Sequence, residues 1–368
     1  TALGLGDPAT HAYLRRFRFS GDVWAIAEGT PVFASEPLLE VVAPLPEAQL
    51  LETCLMNQVH LQTLLASKAS RVVTAARGRD VVEFGLRRAH GADAGLKAAR
   101  AAFVAGAAAT SNVLAGAVFG IPVSGTMAHS FVQAHAGEVE AFRAWCRIHP
   151  DSTLLVDTYD TLEGVRRVTQ VAAELGAAFR IRAIRLDSGD LLELSRASRR
   201  LLDRAGLERV RIFASGGLDE HEVARLLDGG APIDGFGVGT AMDVSADAPQ
   251  LDCAYKLVEY EGRGTTKLSP GKELLPGRKQ VFRSSGGDVI GCFGEALPGR
   301  ALLRQVMRGG RRVEPSPRLG DVRSHAAEAL ARLPAAVRAL STARPGWPVR
   351  ASTSLLDALE RTRLRVRA

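Results

Sequence analysis

The sequence predicts an α/β protein built on parallel strands, arranged as a barrel or as a doubly wound sheet. Two observations carry this. Short β-rich runs at 81–85, 121–124, 154–156, 181–186, 210–214 and 233–238 alternate with helical stretches at 96–109, 162–175, 191–205 and 221–227. From residue 154 onward the strands begin at intervals of roughly 23–29 residues, the spacing of strand–helix repeats whose right-handed crossovers produce parallel pairing. The composition suits such a core: 368 residues, 46% hydrophobic and 24% charged, as in ordinary globular domains.

Ahead of these repeats, residues 17–42 alternate and carry the turn groups Ser20-Gly21-Asp22 and Glu28-Gly29-Thr30-Pro31, the marks of antiparallel strands in a small sheet. Residues 45–74 read as one long amphipathic helix, with Leu50, Leu51, Cys54, Leu55, Val59, Leu61, Leu64 and Leu65 near helical spacing. Asp219 and Glu222 form a capping box for the helix that follows. Beyond residue 252 the β signals return at 255–260, 280–283 and 289–292, and these strands are expected to rejoin the N-terminal sheet. The Pro/Gly-rich stretches 268–277 and 344–348 read as ordered loops. The chain thus divides into an N-terminal α/β domain (1–80), a strand–helix unit with an active-site rim (81–250), returning strands (251–300) and an Arg-rich helical tail (301–368).

Several function classes are excluded. No apolar run approaches the ~20 residues of a membrane-spanning helix, so a soluble, cytoplasmic protein with no membrane partner is expected. The sequence opens at Thr1 without a charged-then-apolar start, so no signal peptide is expected. Four scattered cysteines without a C-x-x-C pair speak against a disulfide framework or a cysteine zinc cluster. The net charge of +7 is concentrated: residues 300–368 hold 15 Arg against five acids, whereas the remainder has 32 basic and 35 acidic residues. The tail lacks the aromatic platforms that single-stranded nucleic acid stacks on, so it reads as solvated helix and no nucleic-acid partner is expected. Zinc-hydrolase, G-x-S-x-G and Walker A patterns are missing from the sequence.

The polar residues fall at informative places. Arg87 follows the first strand and His129 the second; Asp157 and Asp187 close the third and fourth; Ser215-Gly216-Gly217 and Gly239-Thr240 close the fifth and sixth. In parallel α/β folds the carboxyl ends of the strands share one rim, and that rim carries the site. The two glycine turns come from adjacent late strands, where backbone N–H groups can approach a phosphate closely. Arg185 and Asp187 alternate on one strand and face the same side. Such a pair is either an internal ion pair or a ligand set for a phosphorylated sugar, with the guanidinium on phosphate and the carboxylate on ribose hydroxyls or Mg²⁺.

Together, Glu83-Phe84-Gly85-Leu86-Arg87-Arg88, the 110–116 segment Thr-Ser-Asn-Val-Leu-Ala-Gly, the 124–130 segment Ser-Gly-Thr-Met-Ala-His-Ser, the 156–161 segment Val-Asp-Thr-Tyr-Asp-Thr, the 185–190 segment Arg-Leu-Asp-Ser-Gly-Asp and the 267–272 segment Lys-Leu-Ser-Pro-Gly-Lys resemble nicotinate phosphoribosyltransferase, a type II phosphoribosyltransferase. The resemblance runs from about residue 23 to 283. It implies an irregular α/β barrel beside an α/β domain built from both chain ends, and a homodimer with shared active sites. The implied reaction joins nicotinate to 5-phosphoribosyl 1-diphosphate, giving nicotinate mononucleotide and diphosphate, in NAD biosynthesis and salvage, driven by ATP hydrolysis.

The resemblance also assigns roles. His129 matches the transiently phosphorylated histidine, and Asp157 the carboxylate that orients it. Arg185 and Asp187 match ligands of the phosphoribosyl diphosphate, with Mg²⁺ held by the diphosphate near Asp187 and no metal fixed by protein alone. Ser215, Gly216, Gly217, Gly239 and Thr240 match the 5′-phosphate cradle. Phe84 matches the aromatic that stacks on the pyridine ring, and Arg87 the cation near it. Thr110 and Ser111 lie where the pyridine substituent would be read. The family's usual early Thr-Asp-x-Tyr segment finds no match before Tyr13. Alternatives are transfer to nicotinamide or quinolinate on the same fold, or a non-catalytic phosphate-binding barrel.

Overall fold

A computed structural model describes residues 6–269, 274–340 and 346–368; positions 270–272 of the 267–272 motif and parts of both Pro/Gly-rich loops lie outside the described residues. The turn-bounded alternation near the N-terminus becomes β1 (Asp22–Ile26) and β2 (Leu39–Val42), antiparallel from Asp22↔Val42 to Ala25↔Leu39. The long helix runs over Leu45–Ala75, about 46 Å at 1.5 Å per residue. Its buried positions Leu64, Leu65, Lys68, Ala69, Val72 and Ala75 recur every three or four residues and face the barrel.

The repeats form β3 (Asp80–Glu83), β4 (Ala109–Thr110), β5 (Thr153–Leu155), β6 (Ala183–Leu186), β7 (Arg211–Ser215) and β8 (Gly235–Val238). Among the described residues they pair in parallel, in the order β4-β3-β8-β7-β6-β5, and the sheet curls into an irregular half-barrel. Leu154, Ile184, Leu186, Ile212, Ala214, Phe236 and Val238 are fully buried, packed with Val165, Val168, Leu202, Val223 and Leu226 of the covering helices. Parallel strands enclosed on both faces read as continuous apolar runs, so their alternation with helices at regular spacing, not a two-residue period, identified them. Asp160, Asp190 and Asp219 each cap the helix after a strand with their carboxylates. The expected capping box is half made: Asp219 accepts from the Glu222 N–H at 2.8 Å, while the Glu222 carboxylate pairs with Arg225.

Four expectations are corrected. The 121–124 run is no ladder strand; it meets β4 through the single bridge Thr110↔Val123. The helix expected over 96–109 covers Ala92–Val104, and Gly106 at φ +117° turns the chain into the two-residue β4, whose brevity leaves no periodic signal. The returning hairpin Lys279–Ser284/Gly287–Cys292 does not join the N-terminal sheet but builds its own with Arg300–Ala301 and Val349–Ala351. The strand that does pair with β1 is Leu303–Arg308, from the stretch expected to be wholly helical; the helices Leu319–Ala331 and Thr353–Arg367 follow in that stretch. The two sheets meet at Arg278, whose guanidinium lies 4.0 Å from the Trp24 ring and 3.7 Å from that of Phe293. An α/β domain built from both chain ends thus sits beside the barrel. Among the described residues no helix is long and apolar enough to cross a membrane.

Lys68 fastens the long helix to the barrel. Only 4% exposed, it contacts the fully buried Glu220 at 2.7 Å and Asp247 at 2.6 Å. Lys68→Met leaves Glu220 with Arg71 alone as its cation (2.7 Å), and equilibrium urea unfolding should show a loss of about 1–3 kcal/mol. Asp228→Ala, which removes the exposed partner of Arg77, should leave the midpoint nearly unmoved.

Candidate active site

The C-terminal end of β6 is the hub. Arg185 and Asp187 do face the same side, and the guanidinium spends its donors on three separate elements. Nε donates to Ser215 Oγ at the end of β7 (2.7 Å), Nη1 to Thr126 Oγ1 (2.7 Å) and Nη2 to Asp187 Oδ1 (2.5 Å). Ser215 Oγ also donates to Asp187 Oδ1. Burial pushes the Asp187 carboxyl up, but the Ser215 hydrogen bond, the Arg185 charge and contact, and His129 outweigh it and hold the group below its ordinary range. Asp187 is therefore an anion at neutral pH.

His129 opens the short helix His129–Gln133 and is 40% exposed. Its Nε2 stands 3.8 Å from Asp187 Oδ2, and its Nδ1 lies 3.1 Å from Thr158 Oγ1. Here the geometry departs from expectation. Asp157, expected to orient the imidazole, instead turns one oxygen toward the neighbouring strand end, accepting from the Asp187 N–H at 2.8 Å and from Ser188 Oγ at 2.7 Å. The carboxylate facing His129 is that of Asp187, and Thr158 holds the ring's other nitrogen. Asp157 Oδ1 is buried with no partner.

The Phe84 ring lies inside the barrel mouth. Arg185 stands 5.4 Å from its centroid and the Phe213 ring 5.9 Å away. β8 makes room for it with Gly237, where a Cβ would come within 2.6 Å of the Phe84 ring. Behind it Glu83 is fully buried, with its carboxylate accepting from the Gly85 N–H and from the Thr110 hydroxyl. Thr110, 1% exposed, also accepts from the Asn112 N–H at 2.9 Å, so its hydroxyl is fully engaged inside the protein. The half-buried Ser111 is the member of that pair with open surface. Arg87 is exposed on the turn Leu86–Arg88.

The glycine turns close the ring of contacts. Gly216 (φ +88°) and Gly217 (φ +64°) are exposed at the end of β7, and a Cβ on Gly216 would stand 1.9 Å from the Asp187 carbonyl oxygen. Gly239 lies against the Phe84 carbonyl, with Thr240 exposed beside it at the end of the adjacent β8. The structure thus gathers His129, Asp157, Arg185, Asp187, Ser215 and Gly216 directly, with Phe84 joined through Arg185. Arg87, Ser111, Gly217, Gly239 and Thr240 stand at the same strand ends without a bond to that cluster. Thr126, Thr158, Ser188, Glu83 and Phe213 are contacts that sequence reasoning missed, although Thr126, Thr158, Ser188 and Glu83 sit inside the motifs already quoted; Gly237, read from sequence as part of the second glycine loop, instead makes room for the Phe84 ring. A large open cavity lies elsewhere, between β1–β2, the long helix and 251–262, and includes none of these rim residues.

An α/β barrel with a guanidinium, two carboxylates and left-handed glycine turns at its mouth belongs to the class of barrels that carry their sites at the carboxyl ends of the strands. Comparison with known proteins narrows this. Residues 2–60 match the nicotinate phosphoribosyltransferase N-terminal domain and residues 80–270 the nicotinate phosphoribosyltransferase family. Nicotinate phosphoribosyltransferase pncB2 of Mycobacterium tuberculosis is 55% identical over 357 residues, which span 95% of this chain and 77% of that protein. Nicotinate phosphoribosyltransferase of Bacillus subtilis is 45% identical over 295 residues, 76% of this chain and 60% of its own. The crystal structure of human nicotinic acid phosphoribosyltransferase matches with a TM-score of 0.84 at 29% identity, over 97% of this chain and 85% of its own. That of nicotinate-nucleotide pyrophosphorylase from Pyrococcus furiosus matches at 0.76 and 28%, over 88% and 84%. The chain belongs to the nicotinate phosphoribosyltransferase family.

Gly216 and Gly217 provide a test of the mouth. Both need a positive φ, but only at Gly216 does a side chain collide with backbone. Gly216→Ala should cost about 1–3 kcal/mol in urea unfolding, and clearly more than Gly217→Ala, which meets nothing within 4 Å.

Proposed function

We propose that this enzyme joins nicotinate to 5-phosphoribosyl 1-diphosphate in NAD biosynthesis and salvage, coupled to ATP hydrolysis through a phosphohistidine at His129. The observation that carries the proposal is the single cluster of Arg185, Asp187 and Ser215 with the His129 imidazole 3.8 Å from Asp187. In the transfer, the pyridine nitrogen forms a bond to the anomeric carbon as the carbon–oxygen bond to diphosphate breaks, and the leaving diphosphate takes the electron pair. The sugar becomes cation-like and the developing negative charge lies on diphosphate. Prearranged donors such as the Arg185 fork therefore serve better than a protein nucleophile. Phe84, steadied by Gly237 and Arg185, is placed to stack on the pyridine. Ser111 and Arg87 supply a hydroxyl and a cation for the nicotinate carboxylate. The turns at 215–217 and 239–240 are suited to the 5′-phosphate.

In the coupled half-reaction a nitrogen of His129 takes the γ-phosphoryl group of ATP, ADP departs, and water later releases inorganic phosphate. A phosphoryl group there would face Asp187 and shift the charge balance of the mouth. Mg²⁺ is the proposed cofactor. Among the described residues no three-ligand protein cluster exists for it, yet the partnerless Asp157 Oδ1 and the part-exposed Asp187 suit an ion carried chiefly by diphosphate oxygens and water, where it would neutralise the leaving group. A homodimer sharing its active sites and a cytoplasmic setting belong to the same proposal; a diphosphate sugar is too highly charged to cross a bilayer unaided.

Supplied singly with 5-phosphoribosyl 1-diphosphate and Mg²⁺, nicotinate should be converted to nicotinate mononucleotide far faster than nicotinamide is converted to its own nucleotide, and quinolinate should give neither nicotinate mononucleotide nor CO₂. Dominance of another nucleotide, or no nucleotide, overturns the reading. Arg185→Ala should lower kcat/KM for the sugar diphosphate by about 10²–10³-fold. With γ-labelled ATP the protein should acquire acid-labile label, and His129→Ala should abolish both that label and the stimulation of nucleotide formation by ATP. Label that persists in the variant counts against the phosphohistidine.

A further inference from the structure

Behind the ring pocket lies a pair of buried acids to which none of the preceding chemistry assigns a task. Glu83 is fully buried at the end of β3, and both of its oxygens already accept, one from the Gly85 N–H and one from the Thr110 hydroxyl. Asp243, 5% exposed, ends the helical turn Thr240–Asp243 that follows β8. It packs so tightly under Gly85 that a Cβ there would stand 2.2 Å from the Asp243 Cγ. Neither Asp243 oxygen meets an N–H or hydroxyl donor. The Glu83 carboxylate is bonded to the N–H of that same Gly85, so the two acids adjoin one glycine. Two dry carboxylates cannot both be charged in contact, and Glu83 is already the acceptor of two bonds. Burial and the neighbouring Glu83 carboxylate both favour the neutral form of Asp243.

We propose that Asp243 is a positioning residue: its neutral carboxyl donates to Glu83, and this bond locks the Phe84–Gly85 turn, Thr110 and the 239–243 turn into one wall behind the pyridine. The inference deepens the nicotinate reading above and rests on it for the identity of the ligand. Burial, then the charge of Glu83 and the hydrogen bond to it, push the Asp243 carboxyl up to about 9. The surroundings offer no cation to undo this. On the long helix packed against 240–243, Lys68 is taken by Glu220 and Asp247, and Arg71 is bonded to Glu220. On the turn 86–88, Arg87 and Arg88 point to solvent. β4 contributes the neutral Thr110, and β8 carries no charged residue.

The sign follows. An acid raised in the folded state contributes stability that is complete below its unfolded value of 3.8 and is lost progressively as pH climbs toward about 9. Asp243→Asn replaces a titrating donor with an amide that donates at every pH. The wild-type melting temperature should therefore fall between pH 5 and 9 more steeply than that of Asp243→Asn, which should be the more stable at pH 8. Reading the difference removes the parallel contribution of Glu36, another buried acid, raised to about 8 in the N-terminal domain.

The functional arm measures nicotinate affinity by equilibrium binding and KM from pH 7 to 10. Wild-type KM should rise above pH 9, approaching about tenfold per pH unit, with kcat changing less. Asp243→Asn and Glu83→Gln, which each place a permanent donor in the pair, should flatten that rise, and Asp243→Ala should bind weakly at all pH values. Identical pH slopes in wild type and Asp243→Asn overturn the proposal, as does an Asp243→Asn protein that does not fold. If nicotinate binds at no pH, the nicotinate reading fails while the melting comparison still decides the hydrogen bond.

Discussion

The architecture depends on one guanidinium. Parallel pairing brings the ends of β6 and β7 side by side, but backbone hydrogen bonds stop where the strands stop. Beyond that point Arg185 carries the connection, bonding Ser215 on one side, Asp187 on its own strand and Thr126 on a segment that makes no ladder contact with either. At 17% exposure its charge is largely withdrawn from water, so a carboxylate must neutralise it, and Asp187 does so from two residues away. The fork is thus fixed by protein partners alone. Preorganisation of this kind is what electrostatic stabilisation of a departing anion requires, because donors already fixed need no reorientation as charge develops.

The barrel was legible in the sequence wherever its strands were apolar and regularly spaced. β5 to β8 are regularly spaced and mostly apolar, and their spacing carried them although β5 has only three residues. β4 satisfies neither condition, and the Ala-rich stretch before it has such strong helix propensity that only Gly106 hints at a boundary. The strand Leu303–Arg308 was hidden differently: three polar side chains interrupt its apolar ones in a segment whose arginines suggest helix. Its pairing with β1, nearly 280 residues earlier, is a tertiary fact that no local pattern contains.

Site residues divide along the same line. Position at a strand end pointed to Arg185, Asp187, Asp157 and the glycine turns, because a parallel sheet fixes where strand ends go. The partners of these residues are set by three-dimensional packing, so the hydroxyls of Thr126, Thr158 and Ser188 and the buried Glu83 were overlooked, and Asp157 was given the wrong neighbour. The arginine-rich tail shows how a composition signal dissolves on inspection. Arg323 donates to the carbonyls of Phe103, Gly106 and Ala107, closing the C-terminal end of the helix Ala92–Val104. Arg365 and Arg338 are likewise bonded to backbone carbonyls. These arginines each satisfy helix or loop carbonyls.

Charge in the mouth is balanced with little to spare. Arg185 and Asp187 cancel, and Asp157 is a second acid whose one free oxygen is buried without a partner. A sugar diphosphate entering this mouth adds several negative charges to a site that is not positive overall. Binding then requires that the ligand bring its own counter-charge, which gives the proposed Mg²⁺ a reason independent of chemistry at the leaving group. It also explains why an acid beneath the pocket must stay protonated. Were Asp243 ionised as well, the wall carrying Phe84 would sit over two adjacent anions in a dry layer, and each would weaken the hold of the mouth on anionic ligands. A neutral Asp243 keeps the field beneath the ring that of a single carboxylate, already satisfied by Gly85 and Thr110.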